Sequence, residues 1–143
     1  MLRQSKQDDR VFALIQREGM NSLMNNTKWM RTIDALREFP LYFRVKLLNS
    51  EEVSSWEKSL GPLYEIPYLE LPGSGGPVRL VEVEWLEIDP IEQQYCGQLV
   101  KNRLIDRTVE IEQCLNSLRV LWTKEQAYYR IWGHFRNRAC KRS

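Results

Sequence analysis

The sequence predicts an α+β fold, an antiparallel sheet of three to five strands with helices packed mainly on one face. Three observations carry this. Apolar residues recur with period two in three separated stretches, 41–48, 78–89 and 127–135. Helical periodicity occupies the intervals before, between and after the first two of them. The connections are short, which suits antiparallel neighbours with segregated helices. At 143 residues the chain reads as a single domain, 1–143, with an extra amino-terminal helix within 1–20 and a basic tail at 137–143.

In chain order, residues 5–18 place Val11, Leu14, Ile15 and Glu18 at helical spacing, and Gly19 ends the helix. Met20 and Met24 stand at a new beginning, so Met1, Met20 and Met24 are all candidate starts. Asn26 or Thr27 caps a second helix that aligns Trp29, Met30, Ile33 and Leu36 and ends before Pro40. Leu41, Phe43, Val45 and Leu47 alternate with Tyr42, Arg44 and Lys46, a half-buried strand. Asn49 and Glu52 have capping-box spacing, which predicts a short helix through Trp56 to Gly61-Pro62. Residues 63–71 contain Pro67 and suit an edge strand, followed by a Pro/Gly-rich hairpin connection at 72–77.

The stretch VRLVEVEWLEID, 78–89, is the strongest strand pattern. Counting alternate residues puts Val81, Val83 and Trp85 on a core face and Leu80, Glu82, Glu84, Leu86 and Ile88 on the other. Residues 91–105 are irregular, extended toward Ile105. Asp106 or Thr108 caps a helix to about Leu118, with Val109, Ile111, Leu115 and Leu118 in its stripe. The last strand sets Tyr129, Ile131 and Phe135 inward and Tyr128, Arg130, Trp132, His134 and Arg136 outward.

Hydrophobic content of 43% and charged content of 28% are those of a globular soluble chain. No stretch has signal-peptide or membrane-span character. Cys96, Cys114 and Cys140 form neither a disulfide framework nor a CxxC pair, which places the chain in a reducing cytoplasm. The net charge of +2 hides an uneven distribution: residues 51–100 carry ten carboxylates against Lys58 and Arg79. Two explanations stand. Basic strands 41–48 and 127–135 neutralise the acids internally, Arg44, Lys46 and Arg130 facing Glu82 and Glu84, or the acids form a surface for a cationic partner.

The chemistry-bearing residues do not assemble into a catalytic pattern. Glu82 and Glu84 on one strand, with the single His134 far along the chain, fall short of a metal set. Two same-strand carboxylates do not flank a glycosidic bond. His134 has no nucleophile motif such as GxSxG beside it. No cofactor and no metal are expected. A small enzyme built on His134 and Glu84 is the third reading. The second is a nucleic-acid-binding module using Arg130, Trp132, Arg136, Arg138, Lys141 and Arg142, disfavoured because the acidic middle repels phosphate.

The set NNTKW (25–29), FRVKLL (43–48), VEWLEID (83–89), IDRTVEIE (105–112) and YRIWGH (129–134) resembles a family of small bacterial proteins of unknown function marked by NTKW, EWLEI and RIWG motifs. The resemblance spans roughly residues 25–136 and implies a compact α+β cytoplasmic protein, without transferring an active site. By analogy with their class, small standalone bacterial proteins of this kind are similar to immunity proteins that neutralise a cognate toxin. The leading expectation is therefore a non-enzymatic protein-binding protein, an immunity protein meeting a toxin domain that is cationic or has a basic cleft, with no membrane involvement. The expected contact residues are Glu82, Glu84, Trp85, Glu87, Tyr128, Arg130, Trp132 and His134.

Overall fold

A computed structural model describes residues 20–58, 68–71 and 76–136. The predicted helix at 5–18, the segment 63–67 and the tail 137–143 lie outside the described residues. The element order is β1 (Met20–Ser22), α1 (Asn26–Leu36), β2 (Tyr42–Leu47), β3 (Tyr68–Leu71), β4 (Gly76–Arg79), a 3₁₀ turn (Leu80–Glu82), β5 (Val83–Asp89), β6 (Ile91–Gln94), β7 (Arg103–Asp106), α2 (Thr108–Leu118), β8 (Trp122–Glu125), β9 (Tyr128–Trp132) and β10 (His134–Arg136). The principal sheet is antiparallel with strand order β2-β5-β9-β8. Three two-stranded pairs, β1-β10, β3-β4 and β6-β7, complete the strands among the described residues. The fold is α+β, as the alternation and helix periods predict.

Helix α1 begins one residue earlier than the expected cap. Asn25, in extended conformation, accepts the Lys28 N–H at 2.7 Å through Oδ1, satisfying an amide that has no partner within the helix. Its buried stripe is Trp29, Thr32, Ile33 and Leu36. Asp106 Oδ1 accepts the Thr108 N–H at 2.8 Å at the start of α2, which buries Ile111 and Leu115. Val109, expected in that stripe, is instead exposed, because it lies on the helix side away from Ile111 and Leu115. Both helices pack on one face of the sheet, where their buried residues join Phe43, Val45, Leu86, Ile88, Tyr129 and Ile131 in one apolar cluster. The Tyr129 hydroxyl donates to the Glu112 carboxylate from this layer, and burial first, then the Glu112 bond, push its pKa up to about 12.

The stretch 78–89 is not one continuous strand, and its expected faces are corrected. Residues 80–82 coil into the 3₁₀ turn, and Glu82 Oε2 accepts the Arg79 N–H at 3.3 Å across it. Farther on, Lys46 pairs with Trp85 but Leu47 pairs with Val83, so Glu84 is one extra residue in β5, a bulge. The bulge changes the phase. Val83, Leu86 and Ile88 are all buried against the helices, while Trp85 lies with Glu87 on the outer face and is absent from the apolar cluster. Leu80, counted as an outer residue, is also core.

Three further differences matter for the outer face. Residues 49–58 form no helix. The Ser50 hydroxyl instead accepts the Glu52 N–H at 3.1 Å, and the chain runs on as an irregular edge beside β2. Phe43 and Glu57 exchange backbone bonds at 2.9 and 2.7 Å, and Val53 bridges Lys46. Strand β8 has no counterpart among the predicted elements. It joins β9 through the two residues Gln126-Ala127, which lack the Asn-Gly or Asp-Gly signature of a tight hairpin; Gln126 takes φ 59°. Residues 91–106 are a hairpin of β6 and β7 rather than an irregular run.

Gly133 is where the last strand leaves the principal sheet. It donates to Glu84 O at 2.8 Å and accepts from the Leu23 N–H at 2.9 Å, tying β5 to the entry into α1. A Cβ there would stand 2.8 Å from Trp29 Cζ2 and would run into Val83 O. Gly133→Ala is therefore expected to lower stability by roughly 1–3 kcal/mol, the usual penalty for overpacking. Chemical denaturation of wild type and variant checks this.

Candidate functional site

The site develops from the outer face of β2, β5 and β9, opposite the helices. The registry sets Arg44, Glu87 and Arg130 in one cross-strand row. Arg44 Nε donates to Glu87 Oε1 at 2.7 Å, and Arg130 donates to Oε2 through Nε at 2.9 Å and Nη2 at 2.7 Å. Glu87 is buried at 1% exposure, yet both its oxygens are held by cations. A carboxylate taken out of water in this way needs paired, directional donors, and guanidinium forks supply them.

Aromatic rings enclose that row. Arg130 Cζ lies 4.0 Å from the Trp85 ring centroid and 5.1 Å from that of Trp132. Arg44 Cζ lies 4.4 Å from the Trp56 centroid and 5.3 Å from that of Tyr128, and these two rings are themselves 4.8 Å apart. Each guanidinium thus spends its edge on Glu87 and its face on aromatic π-density. Trp132 Nε1 donates to Thr123 Oγ1 at 2.9 Å, fixing the ring plane against β8. The next row continues the charge pairing: Lys46 Nζ donates to Glu84 Oε1 at 2.7 Å.

Of the expected contact residues, Trp85, Glu87, Tyr128, Arg130 and Trp132 come together in this layer, with Glu84 at its end. Glu82 and His134 do not join it. Glu82 sits in the 3₁₀ turn, and His134 is 2% exposed, with Nε2 2.9 Å from Val81 O, to which it donates. The basic partners of the acids are Glu84 with Lys46 and Glu87 with both arginines; Glu87, not Glu82, takes the central place. Sequence reasoning missed Trp56, whose segment was expected to be helical, and left Arg44 out of the contact set. The RVK triplet opposite EWLE was the signal for Arg44; Trp56 had none, since it reaches the layer through the irregular edge.

Three carboxylates of the acidic middle are thus paired within the fold: Glu84 with Lys46, Glu87 with Arg44 and Arg130, and Glu92 with Arg107. Glu92 joins the pattern: Arg107 donates to its Oε1 at 2.8 Å and Gln94 to its Oε2 at 3.1 Å. The Arg107 bond, then that of Gln94, hold the Glu92 carboxyl below its ordinary range. Among the described residues, no group of three His, Cys, Asp or Glu is placed to hold a metal ion, and no helix is long and apolar enough to cross a membrane.

Comparison with known proteins matches residues 11–138 to a family of unknown function, DUF6678. The chain belongs to that family. The match begins at residue 11, so the family extends upstream of NTKW into part of the segment expected to be an extra helix. No curated protein and no solved structure matches the chain.

Two expectations follow. Glu87→Ala leaves two guanidiniums facing each other. Breaking a buried pair costs about 3–5 kcal/mol, and because the arginine side chains keep 28% and 22% exposure, roughly the lower end is expected, read by urea denaturation. Burial pushes the His134 pKa below its ordinary 6.5, outweighing the Val81 bond and the Glu84 charge, which raise it. The folded ring stays neutral while the unfolded chain takes up a proton, so stability is full above the ordinary value and falls as pH drops toward the folded one. A stability–pH series between about pH 7.5 and 5.5 should show this slope in wild type and lose it in His134→Gln.

Proposed function

We propose that this protein is a non-enzymatic binding protein that docks a protein partner on the outer face of β2, β5 and β9. One observation carries the reading: Trp56, Tyr128, Trp132, Arg44 and Arg130 are gathered half-buried on the sheet face away from both helices. Trp, Tyr and Arg are the residue types that dominate binding hot spots. Here they are held in place beforehand, the arginines by Glu87 and the rings by stacking, so little side-chain entropy is lost on docking.

The specific form we propose is an immunity protein that blocks a cognate toxin domain in the cytoplasm. The support for that form is the analogy with small standalone bacterial binding proteins. The chemistry of the face modifies the expected partner. Glu84 and Glu87 lie beneath paired cations, so the accessible groups are rings and the guanidinium N–H groups that Glu87 does not take. They suit an apolar contact flanked by carboxylates better than a cationic cleft.

Co-expression with the product of the adjacent gene tests both levels. Wild type should protect cells and copurify with the toxin domain. Trp132→Ala and Trp56→Ala should each weaken the complex tenfold or more, as hot-spot truncations do, while retaining cooperative unfolding. Undiminished binding by both variants sinks the proposed face; a wild type that neither protects nor copurifies sinks the immunity role. Salt-sensitive binding of a single-stranded oligonucleotide to wild type, lost in Trp132→Ala, would instead assign the face to base stacking.

A further inference from the structure

On the helix side of the molecule, away from the outer sheet face, a cleft of about 430 Å³ is lined by Lys28, Arg31, Ser117, Leu118 and Arg119. Lys28 and Arg31 stand in the first two turns of α1, Ser117 and Leu118 in the last turn of α2, and Arg119 at its C-cap. Three of the five lining residues are cationic and none is a carboxylate.

Two features together mark these cations, the lack of a counter-charge and a shared concavity. Arg37, Arg44, Lys46, Arg107 and Arg130 each contact a carboxylate. Lys28, Arg31 and Arg119 are paired with none among the described residues, and they converge on one concavity. Like charges focused in a cleft repel one another and raise the local concentration of anions. Arg103 on the β6-β7 hairpin is an exposed cation that lies outside this cleft.

The remaining lining narrows the ligand. The volume falls in the range of small-molecule sites. Leu118 supplies one apolar wall. The Ser117 hydroxyl donates to Cys114 O at 2.8 Å, so its oxygen is left to accept a hydrogen bond rather than give one. A phosphate oxygen has no proton to offer at neutral pH, but a hydroxyl on the body of the ligand does. We infer that this cleft binds a small phosphorylated molecule, its phosphates on Lys28, Arg31 and Arg119 and a hydroxyl-bearing body against Ser117 and Leu118. Three cations match the charge of a diphosphate best.

Arg119 makes the inference testable without confusion with unfolding. It holds φ 58°, the left-handed conformation that glycine adopts without steric penalty. Arg119→Gly therefore removes a cation while relaxing the backbone. Calorimetric titration of the full chain with inorganic pyrophosphate, at low and physiological salt, is the experiment. Wild type should bind one pyrophosphate per chain. Arg119→Gly and Arg31→Gln should each bind at least tenfold more weakly, with thermal stability kept in Arg31→Gln and kept or raised in Arg119→Gly. Arg103→Gln should bind as wild type does. No binding at low salt, equal loss in Arg103→Gln, or full affinity in both cleft variants overturns the site. A short single-stranded oligonucleotide binding the cleft more than tenfold tighter than pyrophosphate also overturns it, in favour of a nucleic-acid backbone.

Discussion

The extra residue that Glu84 inserts into β5 sets the arrangement of the whole sheet. On one side of it Val83 faces the helices; on the other side Leu86 and Ile88 do. Without the bulge, strict alternation would send Val83 to the same face as Trp85 and Glu87. With it, the core keeps three apolar residues from β5, and the outer face receives Trp85 and Glu87 together. Glu84 itself, freed from the ladder's side-chain alternation, reaches Lys46. A single insertion thus separates an apolar inner layer from a charged and aromatic outer one.

The outer layer then depends on Glu87. Burying a carboxylate among aromatic rings is unfavourable unless its oxygens are filled by donors. Arg44 and Arg130 approach from the two neighbouring strands, so the same carboxylate links β2, β5 and β9 through side chains as well as backbone. Locking the guanidiniums fixes the rings stacked on them. The order on which the proposed docking rests therefore has the same origin as the layer's contribution to holding three strands in register.

Gly133 couples this sheet to the helical side. Its lack of a side chain lets the chain pass directly over the Trp29 ring and bond to Glu84 O, after which β10 turns to pair with β1. The strand that supplies Tyr128, Arg130 and Trp132 to the outer layer is thereby anchored at its end against the first turn of α1. The cleft on the opposite side uses Lys28 and Arg31 from the first two turns of the same helix, so the two candidate surfaces share one structural support while facing apart.

The sequence by itself determined the α+β class, the two helices near 26–36 and 108–118, and the inward residues of β2 and β9, and it offered the pairing of basic strands with acidic ones as one of two readings. These follow from periodicity and local capping, which act over a few residues. Lys46 opposite Glu84 was legible for the same reason, as were Tyr128, Arg130 and Trp132 as members of one layer, whereas alternation counted Trp85 on the core face. Only the tertiary structure decided which face of β5 is core, because a bulge is defined by the partner strand and not by the bulged one. It also decided that Glu87 rather than Glu82 is the central acid, that Trp56 joins the layer, and that residues 122–125 form a strand. Trp56 reaches its place through bonds between Glu57 and Phe43, and β8 exists by pairing with β9. Contacts between residues far apart in the chain leave no period in either segment, so no local pattern could announce them.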